Sequence, residues 1–66
     1  MNQNDQWRQL GVNWMRWDGQ TLRSVRKVSD GYEVRIQHLD QPTRVLAKVD
    51  SDCRGRVLAD EWEVTA

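Results

Sequence analysis

The clearest alternation of apolar and polar side chains runs through Tyr32-Glu33-Val34-Arg35-Ile36-Gln37-His38. Tyr32, Val34 and Ile36 share one face, and Glu33, Arg35 and Gln37 share the other. Period two of this kind predicts a half-buried strand. Val45, Ala47 and Val49 repeat the pattern against Arg44, Leu46 and Lys48. Residues 20–28 fit it less well, because Val25 and Val28 stand three apart, and a bulge near Arg26-Lys27 reconciles them. In 11–17, Val12 and Trp14 point one way and Met15 and Trp17 the other. Residues 56–64 open with Val57 and Ala59 on one face, then shift to Trp62 and Val64. A bulge, or one helical turn at Ala59-Asp60-Glu61, accounts for the shift.

Turn signals separate these segments. Asp18-Gly19 and Asp30-Gly31 tolerate the positive φ of tight hairpins. Leu39-Asp40-Gln41-Pro42-Thr43 is a third break, and Asp50-Ser51-Asp52-Cys53-Arg54-Gly55 a fourth. Strands are therefore predicted near 11–17, 20–28, 32–38, 43–49 and 56–64. The fold class they imply is all-β, a small five-stranded antiparallel meander or an SH3/OB-like barrel. The alternative is α+β with a short terminal helix, either capped by Asp5 and running to Leu10 or carrying Leu58 and Trp62 at i, i+4. Residues 1–6 read as a flexible tail and 7–66 as a single small β domain.

The chain has 66 residues, of which 38% are hydrophobic. A domain of this size has one thin core, and small scaffolds usually add disulfides, a metal, a partner or large aromatic rings. Cys53 is the only cysteine and His38 the only histidine, so an internal disulfide and a Cys/His metal quartet are both excluded. That leaves Trp7, Trp14, Trp17 and Trp62, together with self-association. Ten basic and ten acidic residues cancel, which argues against a duplex-coating nucleic-acid binder. The balance is local, however. Residues 22–38 carry Arg23, Arg26, Lys27 and Arg35 against Asp30 and Glu33, whereas 51–66 carry Arg54 and Arg56 against Asp52, Asp60, Glu61 and Glu63. The polar start shows no signal peptide, and no apolar run is long enough to span a membrane. A soluble, cytoplasmic protein is the expectation.

Catalytic and metal chemistry find little support. Asp50 to Glu61 resembles the EF-hand calcium loop, with carboxylates at loop positions one and three, Gly55 at six, Val57 at eight and Glu61 at twelve. Arg54 stands at position five, where that loop needs an oxygen ligand, and the preceding segment reads as a strand. A turn with Gly55 at positive φ is the simpler reading. His38 reads as a structural residue on the apolar face near a strand end. A Cys53–His38 nucleophile pair lacks an orienting group and an oxyanion site. No catalytic residue, metal or cofactor is assigned, and an enzyme is not expected.

The stronger candidate is Trp14-Met15-Arg16-Trp17. Alternation sends Trp14 and Arg16 to one face and Met15 and Trp17 to the other, and one small core cannot receive both. Exposed Trp, Met and Arg are enriched at protein interfaces. The candidate binding residues are Trp14, Met15, Arg16, Trp17, Arg23 and Arg35. The expected function is a small intracellular protein-binding module, an adaptor or inhibitor acting by surface occupation. One alternative is a single-stranded nucleic-acid binder, with a Trp stacking a base beside arginines. The other is a self-assembling structural protein. The partner is expected to be another protein or a second copy, with no membrane.

Overall fold

The computed structural model describes residues 6–63. It contains strands β1 (Arg8–Leu10), β2 (Asn13–Trp17), β3 (Thr21–Val28), β4 (Gly31–His38) and β5 (Arg44–Val49), then helix α1 (Asp52–Glu61). The sheet order is β1-β2-β3-β4-β5 and every pair is antiparallel. This is the expected meander, and it carries the C-terminal helix of the α+β reading. β1 and β5 do not pair, so the sheet stays open rather than closing into a barrel. Apart from Gln6, the tail expected over 1–6 lies outside the described residues, as does Val64.

Local chemistry sets the hairpins. Gly11, with φ of 65°, and Val12 form a two-residue loop between the paired Leu10 and Asn13. The Asp18 carboxylate accepts from the backbone N–H groups of Gln20 and Thr21 at 2.9 and 2.8 Å, closing the β2–β3 turn. At Gly31, φ is 148° and a Cβ would stand 2.5 Å from the Val49 carbonyl oxygen, so only glycine fits where β4 starts beside β5.

The core lies between one face of the sheet and α1. Val25 faces Val34 across β3 and β4, and both are fully buried with Ile36 and Ala59. Trp7, Trp14, Tyr32, Leu46, Val49 and Trp62 pack around them. The helix begins at the N-cap Ser51, whose Oγ accepts the Arg54 N–H at 3.2 Å, and Asp52 in the first turn complements the positive helix end. Its buried residues are Gly55 and Ala59, four apart. Their small size lets the helix backbone settle onto the sheet: a Cβ on Gly55 would lie 2.9 Å from Val25 Cγ1 and 3.2 Å from Val34 Cγ2.

Several expectations are corrected. The strand over 56–64 is instead helical through Glu61, because the seated face consists of Gly55 and Ala59 while Val57 is 52% exposed. No apolar stripe marks such a helix. Its place in the sheet goes to β1, in a segment where no strand was expected and the alternative reading put a helix running to Leu10. The bulge is absent from β3, which pairs without a break from Thr21↔His38 to Val28↔Gly31. It occurs on β5 instead. There Val34 pairs with Ala47 but Arg35 with Val45, leaving Leu46 as the extra residue. Val45 is consequently turned away from Ala47 and Val49 and is 55% exposed, while Leu46 packs on the core. Gly55 is a packed helical glycine rather than a turn residue. The calcium-loop resemblance also ends here, since the segment is helical from Asp52 onward.

If α1 is seated on Val25 and Val34 in this way, Gly55→Val should destabilise the fold by about 3 kcal/mol through overpacking. Urea unfolding measures it directly; a stability unchanged within about 0.5 kcal/mol would mean that the helix does not rest there.

Candidate functional site

The register divides the sheet into a covered and an uncovered face. Trp14, Val25, Val34 and Ala47 form one cross-strand row beneath the helix, with Arg16, Arg23 and Ile36 in the neighbouring row. Alternation turns Arg8, Met15, Ser24, Arg35 and Val45 outward as a row on the opposite face, beside a second row of Trp17, Leu22 and Gln37.

Three of the six sequence candidates hold the helix. Trp14 Nε1 donates to Asp52 Oδ2 at 2.9 Å, and the Arg56 guanidinium carbon lies 3.9 Å from the centre of its ring. Arg16 pairs with Asp60, whose carboxylate oxygens also accept from Trp7 Nε1 at 3.1 Å. Arg23 is only 8% exposed. Its Nε donates to the Ala59 carbonyl at 2.9 Å, Nη1 to Asp18 Oδ2 at 2.9 Å, and Nη2 to the Trp62 carbonyl at 3.3 Å. It also lies 5.8 Å from the Trp62 ring centre. These three side chains are engaged inside the protein.

Met15, Trp17 and Arg35 lie on the uncovered face. Trp17 is 45% exposed and is therefore the indole left over by the core. Together with Gln6, Arg8, Leu10, Met15 and Leu22 it lines a groove of about 310 Å³. Arg8 and Arg26 are exposed and form no ion pair among the described residues, whereas Arg35 pairs with Glu33 and Lys48 with Asp30. Arg8, Leu10, Leu22 and Arg26 were not among the sequence candidates. Gly11 carried the missing signal, because a glycine-led hairpin there places β1 beside Met15.

The groove offers apolar contact, one indole and a guanidinium, but no nucleophile–base pair. Elsewhere, His38 Nδ1 lies 2.6 Å from Thr21 Oγ1, with its ring 6.1 Å from that of Trp62, so one of its two ring nitrogens is spent on the fold. Cys53 is exposed in the first turn of α1. Among the described residues no group of three or more His, Cys, Asp or Glu is placed to hold a metal ion, and no helix is long and apolar enough to cross a membrane. Comparison with protein-family models, curated proteins and solved structures finds no match.

The Arg23 cluster has a pH signature. Partial burial acts to raise the Asp18 pKa, but the Gln20 N–H, the Arg23 guanidinium and the Thr21 N–H outweigh it and bring the group from 3.8 to about 2. A folded pKa below the unfolded one stabilises the fold above about pH 4, and this contribution is lost as pH falls through about 2. Between those limits the wild type should lose about 1–2 kcal/mol more stability than Asp18→Asn, after allowance for solvent screening. Urea unfolding across the window is the check, and parallel curves for the two proteins would contradict the pairing.

Proposed function

We propose that this chain is a small intracellular protein-binding module that acts by occupying a partner's surface through the uncovered face of its sheet. One observation carries the reading: α1 covers a single face of the sheet, and the other presents Trp17, Met15, Leu10 and Leu22 around a groove. An indole held on a paired strand loses little entropy on binding and gains most when a partner desolvates it. Arg8 in the groove wall and Arg35 farther along the same face set orientation.

Affinity capture from source cells with and without nuclease, followed by calorimetry on the purified partner, tests the reading. Nuclease should leave capture intact. Trp17→Ala should weaken binding by about 2 kcal/mol or more while costing the fold about 1 kcal/mol. Loss of capture on nuclease treatment would instead favour single-stranded nucleic acid. Equal affinity of Trp17→Ala and wild type would remove this face from the binding site.

A further inference from the structure

The uncovered face carries a charge that the neutral composition conceals. Alternation and register bring Arg8, Arg26, Arg35 and Lys48 onto it, with Glu33 as the carboxylate among them. Ser24 is flanked on β3 by Arg26 two residues along, and across the sheet by Met15 and then Arg8 on one side and by Arg35 on the other. Neighbouring strands lie about 4.8 Å apart and alternate residues about 7 Å apart. The three arginines therefore stand on positions around Ser24, which neighbours the Met15 wall of the Trp17 groove. Arg8 and Arg26 have no ion-pair partner among the described residues. Arg35 gives its Nε to Glu33 and keeps its terminal N–H groups.

Building on the protein-binding reading, we infer that the partner docks through an acidic segment: a large apolar side chain for the groove, flanked by carboxylates for Arg8, Arg26 and Arg35. Guanidinium forks bind carboxylates in paired, directional hydrogen bonds, and an apolar neighbour strengthens them by excluding water. A second copy is a poorer source of this pattern. Asp18 is held by Arg23, Asp30 by Lys48, Glu33 by Arg35, Asp50 by Arg54, Asp52 by Trp14 and Asp60 by Arg16 and Trp7. Asp40, Glu61 and Glu63 are exposed, but the apolar residue between the two glutamates, Trp62, packs on the core and is not free to enter the groove. A nucleic-acid strand fits less well too. Stacking successive bases takes several open rings, whereas this groove has one indole among Leu10, Leu22 and Met15, and Glu33 opposes a phosphate chain.

Selection from a random library of peptides about twelve residues long, on the immobilised full chain, tests the inference; affinities follow from fluorescence anisotropy. Enriched peptides should carry Asp or Glu beside a large apolar residue. Their affinity should fall at least about tenfold in Arg8→Gln/Arg26→Gln/Arg35→Gln, and should weaken as salt rises from about 50 to about 500 mM. Trp17→Ala should lose it as well. If the triple variant fails to fold, Arg26→Gln alone should show a loss of about threefold. Enriched peptides that need Trp17 but carry no acidic excess and ignore the arginine changes would overturn this inference while leaving the protein-binding function standing. No enrichment, binding indifferent to Trp17→Ala, tighter binding of an oligothymidylate, or a dimer in sedimentation that buries Trp17 would overturn both.

Discussion

Arg23 is the point at which the sheet, the β2–β3 turn and the helix meet. A buried guanidinium is expensive, by several kcal/mol, unless its donors are used. Here one fork reaches the Asp18 carboxylate and the Ala59 and Trp62 carbonyls. Those carbonyls belong to the end of α1, where backbone groups lack partners and the helix dipole is negative. The last turn of α1 has no basic residue of its own, so β3 supplies the positive charge from below. A ten-residue helix is marginal in isolation. Its order therefore depends on this anchor and on the close seat that Gly55 and Ala59 provide.

Docking α1 on one face decides everything about the other. The tryptophans divide according to that geometry. Trp7 and Trp14 bring volume to the core side and give their indole N–H groups to Asp60 and Asp52, fastening both ends of the helix to the sheet. Large rings with satisfied donors thus take the part that disulfides or a metal play in other small domains. Trp17 sits on the same strand as Trp14 but an odd number of residues away, so the pleat sends it to the uncovered side. The side chain offered to a partner is a consequence of the way the core is built.

Much of this was legible in the chain. The alternation of Tyr32, Val34 and Ile36 identified β4 and its buried face, and the opposition of Trp14 and Trp17 showed that one of them must remain outside. Which one depended on where a helix settled, and no local pattern carries that. The helix was legible only as the alternative, through Leu58 and Trp62, because its buried face is glycine and alanine while its exposed Val57 imitates a strand residue. Val45 was assigned to the wrong face because a single extra residue, Leu46, inverts the alternation beyond it. Arg23 stands two residues before Val25 and so shares its face, a signal masked by the habit of reading arginine as surface. Its interior position depends on carbonyls 36 and 39 residues away, and that kind of pairing exists only once the chain has folded.

The central claim is that α1 covers the Trp14 face and leaves the Trp17 face open. Hydrogen exchange at the four indole N–H groups of the uniformly ¹⁵N-labelled monomer addresses it most directly. Trp14, bonded to Asp52 beneath the helix, should exchange slowly, and Trp17 at close to the rate of free indole. Slow exchange at Trp17 with fast exchange at Trp14 would place the helix on the opposite face and contradict the account.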